Sequence, residues 1–182
     1  SIIPVNKGFG RVLAEDVLAA TNHPPFANSA VDGYGFALDT ISSKSEIALE
    51  LISGRSAAGS PFSGKVPDGT AVRVLTGAQI PEGVDTVILD EDVNKIQNII
   101  YFNPGLKKYA NIRPQGEDIS AGSIVLQKGK RVCPADLGVL ASSGIKTIKV
   151  YDQLKVAIMT TGDELVELGN DSHKSQIVDA NR

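Results

Sequence analysis

Asn28-Ser29-Ala30-Val31-Asp32-Gly33-Tyr34 is the stretch on which the reading of this chain turns. It is small, polar and glycine-punctuated, with one carboxylate at its centre. Pro24-Pro25 lies upstream and the mostly apolar run Tyr34 to Leu38 lies downstream. Asn-Ser before an acid and Gly after it favour a turn. An acid at such a turn either caps backbone groups or is a functional group held in place.

Short extended segments follow this turn at close spacing. Residues 33 to 38 and 47 to 53 read as strands, with the polar tract Asp39 to Glu46 between them as a turn or excursion. Gly54 to Gly64 is rich in Gly and Ser and reads as a loop. Pro67-Asp-Gly-Thr70 turns into a strand over Ala71 to Leu75. Val84 to Leu89 is a further strand by its β-branched content, and Asp90-Glu91-Asp92 follows it as an acidic cluster. Val93 to Phe102 reads as a hairpin turning near Gln97-Asn98. Lys107 to Arg113 reads as extended. Ile124 to Leu126 and Arg131 to Cys133 read as a second hairpin about Lys128-Gly129-Lys130. Upstream, residues 8 to 20 read as an irregular strand. Strands spaced this regularly predict an all-β or barrel-like body between about residues 28 and 132.

The pattern changes at Pro134. Pro134 to Gly144 is the best helix in the chain, with Pro suited to a first turn and Gly to a stop. Ile145 to Val150 alternates as a strand. Leu154 to Thr160 reads as a buried strand running into Thr161-Gly-Asp-Glu-Leu165, which is how an α/β domain begins. The polar tail 167 to 176, with His173 beside Asp171 and Lys174, is expected to be solvated.

Composition excludes several classes. Hydrophobic residues at 42% and charged residues at 21% describe a folded chain, not a disordered one. A net charge of -3 supplies no basic patch for nucleic acid or an anionic membrane. No apolar run approaches the ~20 residues of a membrane span, and no signal-peptide pattern is present. Cys133 stands alone, so no intrachain disulfide forms, which fits a reducing, cytoplasmic setting. His23, in a Pro-rich loop, reads as surface or packing, and a zinc site of N and S ligands has no support. There is no dinucleotide fingerprint, phosphate loop or nucleophile elbow.

What remains are carboxylates at turns: Asp32, Asp90-Glu91-Asp92, Glu117-Asp118 and Asp163-Glu164. Their oxygens suit Mg²⁺, which often takes only one or two of them. Convergent carboxylates can also move protons or repel one another until a cation arrives. Taken singly, they are ordinary solvated turn residues. Thr76 could hydrogen-bond an oxyanion or cap a turn. Arg113 could clamp an oxyanion or be a surface charge.

Pro24 to Tyr34 resembles the signature of the molybdopterin molybdenumtransferase family, which includes bacterial MoeA proteins and the E domain of gephyrin. Arg73 to Ala78, Pro81 to Gly83, Gly116 to Gly122 and Thr161 to Leu165 resemble the family in the same order. The resemblance covers essentially all 182 residues but only the front part of the family's length. Pro114 and Gln115 depart from it, since some relatives carry more arginine there. It implies a mixed, mainly β fold. A small α+β linker domain (1–27 and 133–152) would carry an inserted β-rich, barrel-like domain (28–132). Residues 153–182 would begin a truncated α/β molybdopterin-binding domain. The helical lead-in is expected before residue 1, and the pterin-binding loop and a C-terminal β-domain beyond residue 182. The resemblance further implies insertion of molybdenum from molybdate into adenylylated molybdopterin with release of AMP. The catalytic set would be Asp32, Thr76, Asp118 and Glu164. Ser29, Arg113 and Asp163 would bind substrate, and Asp32 and Glu164 would hold Mg²⁺. A homodimer is implied, with the upstream molybdopterin adenylyltransferase as a possible partner, and no nucleic acid or membrane. This chain by itself is expected to fold without turnover. The alternative implied by gephyrin is a non-catalytic scaffolding or dimerisation module.

Overall fold

The computed structural model describes residues 1–41, 45–170 and 173–181. Its strands are β1 (Ile2–Pro4), β2 (Val17–Leu18), β3 (Asn28–Ser29), β4 (Gly33–Phe36), β5 (Ile47–Ser56), β6 (Thr70–Val74) and β7 (Thr86–Leu89). After these come β8 (Asn94–Ile96), β9 (Ile99–Phe102), β10 (Ile112–Arg113), β11 (Ile124–Leu126), helix α1 (Pro134–Ser142), β12 (Thr147–Lys149), β13 (Leu165–Val166) and β14 (Ile177–Val178). The chain divides into two compact units, Ser1–Val150 and Tyr151–Arg182.

The first unit is mainly β, and its principal sheet is curled as a half-barrel in the order β7-β4-β6-β5-β9-β8. All neighbours are antiparallel except β5 and β6. A parallel pair needs a crossover, which residues 57–69 supply. In β5, Ile47, Leu49 and Leu51 point inward and Ala48 and Glu50 outward, the period-two pattern of a half-buried strand. They pack with Tyr34, Phe36, Ala71, Ile88, Ile100 and Phe102 in one core. The rings of Phe36 and Phe102 lie 5.2 Å apart. The central strand β6 is buried on both faces, because Val72 and Val74 join Val66 and Ala78 in a second cluster.

A third cluster gathers both ends of this unit: Leu13, Val17, Leu126, Val132, Leu140, Ile148 and Val150. It sits among the ladders β1–β12 and β2–β11 and helix α1. A nine-residue helix is unstable alone in water. Burial of Leu140, worth ~1.5–3 kcal/mol, is what holds it here. Pro134 opens the helix, and the Asp136 carboxylate accepts the amide N–H of Cys133 at 2.9 Å. Lys130 Nζ pairs with Asp136 at 2.8 Å. Lys130 first, and then the Cys133 amide, holds the Asp136 carboxyl down at about 2.

Several local readings are corrected by pairing partners that lie far off in the chain. Residues 8 to 20 are not one strand. Only Val17–Leu18 is, with single bridges Val12↔Arg131 and Leu13↔Val150 beside it. The second hairpin does not form, because Ile124–Leu126 pairs with Val17–Leu18 and Arg131 bridges Val12. Gly54 to Gly64 is not all loop. After a register shift between Leu51 and Arg55, β5 continues to Ser56, alongside β6. Lys107 to Asn111 is a turn, with Tyr109 and Asn111 at φ 67 and 58, and only Ile112–Arg113 is extended in a ladder. Residues 42–44, in the polar tract Asp39 to Glu46, lie outside the described residues, as do Asp171 and Ser172 of the tail.

The second unit, taken by itself, contains the short parallel pair β13–β14, Leu165 opposite Ile177. Leu154 to Thr160 is not a buried strand. Leu154, Val156 and Met159 are 90%, 77% and 86% exposed and form no ladder. A buried strand needs neighbours for its backbone groups and a face to cover it, and the described residues supply neither.

Candidate active site

The end of β4 is held by close backbone approach. A Cβ on Gly33 would stand 1.9 Å from the Ile88 carbonyl oxygen, so only glycine lets β4 lie this near β7. The carbonyl of Asp32 accepts the Asp90 amide N–H at 3.1 Å. On the other side, β6 runs out into Leu75, and Gly77 at φ +76 turns the chain so that its amide meets the Ser29 carbonyl at 2.8 Å. Thr76 is thereby presented to Asp32. Its amide N–H and its hydroxyl both donate to Asp32 Oδ1, at 2.7 Å each. The hydroxyl first, and then the amide, lowers the Asp32 carboxyl below the usual carboxylate range. Asp32 is exposed, and its Oδ2 has no hydrogen-bond partner among the described residues.

Beside this pair stand Arg73 and Asp90. The Arg73 guanidinium is bidentate to the Asp90 carboxylate, with Nη2 to Oδ2 at 3.0 Å and Nη1 to Oδ1 completing the fork. It also covers the Tyr34 ring, 4.8 Å from the ring centre. Asp90 holds the Arg73 pKa up, and Arg73 holds the Asp90 carboxyl down. A hollow of about 200 Å³ opens between Val31, Asp32, Leu89, Asp90 and Glu91. Sequence reasoning noted Asp90 only as one of three acids. Arg73 was missed, although it directly precedes Val74 and Leu75 in the matched segment.

The second carboxylate cluster has a cation inside it. In the ladder β3–β10, Arg113 lies opposite Asn28 and Ile112 opposite Ser29. Arg113 Nε donates to Glu117 Oε2 at 2.5 Å and Nη2 to Asp118 Oδ1 at 2.6 Å. Asp118 first, and then Glu117, raises the Arg113 pKa. The other Asp118 oxygen is 3.9 Å from His23 Nε2. The His23 carbonyl accepts the amides of Asp118 and Ile119, each at 3.0 Å. A hollow of about 430 Å³ lies beside Asp118, lined also by Ser120, Ser123 and Val139.

The structure therefore brings Asp32 together with Thr76, and Arg113 together with Asp118. Ser29 is 1% exposed, and its hydroxyl donates to the Val31 carbonyl at 2.6 Å. Asp163 and Glu164 are exposed in the second unit, where the Glu164 carbonyl accepts the Ile177 amide at 2.7 Å. Among the described residues no three His, Cys, Asp or Glu side chains group as a metal centre. No helix among them is long and apolar enough to cross a membrane.

The curled β fold of this chain has counterparts among solved structures. Two crystal structures of the molybdopterin biosynthesis MoeA protein of Pyrococcus horikoshii share it, with TM-scores of 0.90 and 0.88 and identities of 33% and 36%. Both alignments cover 100% of this chain, and 47% and 49% of the respective structures. The chain belongs to the MoeA N-terminal family: residues 1–144 match its model, described as the MoeA N-terminal region, domain I and II. It is 43% identical over 173 residues to the molybdopterin molybdenumtransferase of Haemophilus influenzae, covering 94% of this chain and 42% of that protein. To the Staphylococcus epidermidis protein of the same name it is 33% identical over 182 residues, 98% of this chain and 43% of that one. The chain thus spans less than half the length of the curated relatives it matches.

Proposed function

We propose that the whole protein to which this chain belongs inserts molybdenum from molybdate into adenylylated molybdopterin and releases AMP. The observation that carries the reading is the Asp32 carboxylate. It is held on one oxygen by two neutral donors of Thr76, keeps its negative charge, and leaves the second oxygen open. Asp32 and Thr76 lie in different matched segments, 44 residues apart. Chemically, that open oxygen is a hard donor that fits Mg²⁺, an ion content with one or two carboxylates when phosphate oxygens complete its shell. Bound there, Mg²⁺ would offset the charge of the phosphoanhydride. Asp32 would hold it. Thr76 fixes the Asp32 rotamer and keeps the carboxylate ionised. Asp118 serves the second cluster, relaying a proton from the pterin dithiol to the departing oxide, which leaves molybdate as water, while Arg113 orients the substrate anions. Ser29, buried with its hydroxyl donated to the Val31 carbonyl, shapes the turn that carries Asp32.

The linker domain we assign to residues 1–27 and 133–152, a reading supported by the cluster that joins Leu13 and Val17 to Leu140 and Val150. Ile124–Leu126, paired with Val17–Leu18, goes with it, and the remainder of 28–132 forms the inserted body. Residues 153–182 would open the molybdopterin-binding domain. The protein would work as a cytoplasmic homodimer that takes its substrate from the molybdopterin adenylyltransferase.

The test is AMP release from adenylylated molybdopterin by the full-length protein with Mg²⁺, with and without molybdate. Release should depend on molybdate and fall about 100-fold in Asp32→Asn, the scale of losing one preorganised charged group. Unchanged release in that variant would remove Asp32 from the chemistry. Absence of release from well-folded wild type would favour the scaffolding alternative.

A further inference from the structure

Two carboxylates and one guanidinium meet at the end of β4. Gly33 pairs with Leu89 and Tyr34 with Ile88, so the next residues out, Asp32 and Asp90, face each other across β4 and β7. The Asp90 amide bonded to the Asp32 carbonyl agrees with this register. On the other flank Arg73 is the cross-strand partner of Tyr34, which puts it diagonal to Asp32. Diagonal neighbours are ~7–8 Å apart, within reach of a long side chain. Arg73 therefore has two possible anionic partners, and it takes Asp90.

Two contacts fix that choice. The fork geometry of the guanidinium matches the Asp90 carboxylate in a bidentate pair, and the Tyr34 ring lies beneath the guanidinium. Were Arg73 to turn to Asp32, the site carboxylate would be closed by an internal cation. Its open oxygen would be lost to any positively charged ligand.

We propose that Asp90 is a guard residue: by holding Arg73 against Tyr34 it keeps that cation off Asp32, which stays bound to Thr76 alone. The inference rests on the reading of Asp32 as the working carboxylate. It makes Asp90 a positioning residue that acts through Arg73.

The test compares Asp90→Asn with the double variant Arg73→Met/Asp90→Asn in this chain, by hydrogen exchange at the Thr76 amide in two-dimensional NMR. The Asp90 backbone amide survives both changes, and an exposed ion pair is worth only ~0–1 kcal/mol, so both variants should fold. In Asp90→Asn, Arg73 should capture Asp32, and the Thr76 amide should exchange about fivefold faster as its hydrogen bond weakens. In the double variant no cation competes, and Thr76 protection should return. A fold defect would be shared by both variants, so the return separates guarding from mere structural support. Unchanged Thr76 exchange in Asp90→Asn overturns the proposal, and so does failure of the double variant to recover. AMP release plays no part in this readout, so failure of the assigned activity would be seen separately.

Discussion

Asp32 and Asp118 are both exposed aspartates at glycine turns, yet their surroundings are opposite in kind. Asp32 is held by an amide and a hydroxyl, both uncharged. Asp118 is held by the Arg113 guanidinium, which Glu117 shares. Neutral donors favour the ionised form of a carboxylate without cancelling its charge; a guanidinium favours it and cancels it. The first arrangement leaves a negative centre able to recruit a cation. The second is closed on itself as an ion pair. Asp136 adds a third arrangement, buried and held by both a lysine and an amide, and it serves the packing of α1.

The comparison breaks most decisively on activity. In the full-length protein Asp118→Asn should cost about tenfold in AMP release, against the 100-fold loss expected for Asp32→Asn. Equal losses would mean that the two environments make no functional difference. Next in size is the structural aspartate. Asp136→Asn should lower stability in urea titration by about 2 kcal/mol at neutral pH, a figure already reduced for the exposure of Lys130. The Asp136 pKa is depressed on folding to about 2. Its contribution is therefore complete above about pH 5 and fades as pH falls from there toward 2. In urea titrations across that window, the gap between variant and wild type should close.

A smaller effect sharpens the account of Asp32 itself. Thr76→Val keeps the amide donor and removes the hydroxyl, leaving one of the two bonds to Asp32 Oδ1. Carboxyl NMR should show the Asp32 pKa moving up toward its ordinary value, and it should stay low if the hydroxyl is irrelevant. Smallest is the response to salt. At ~1 M, where the Debye length is ~3 Å, the solvent-screened Arg113 contacts should loosen slightly. The Arg113 Nε–H resonance should shift, while the Thr76 amide holds its position.

Much of this was legible in the sequence, and the remainder was not for a physical reason. The strand Gly33–Phe36, the hairpin turning at Gln97 and the helix opened by Pro134 all follow from local preference and period. Partners more than a hundred residues away leave no local trace. Ile124 to Leu126 looked like one arm of a hairpin until Val17 and Leu18 took it. Leu154 to Thr160 has the composition of a buried strand, but composition does not supply a neighbour. In the candidate site, Asp32 and Thr76 stood out only as members of separate matched segments. The bond between them, and the grip of Asp90 on Arg73, depend on the register of β4 against β6 and β7.

The Asp32–Thr76 bond also closes a loop of 44 residues. Loop closure costs chain entropy before any contact repays it, and non-local ladders are the slow steps of folding. The carboxylate therefore acquires its setting only once the central strands have docked. A nascent or partly unfolded chain carries Asp32 as an ordinary solvated acid, with no preformed grip on a cation. Competence at this site is a property of the closed ladder and should arrive, and vanish, with it.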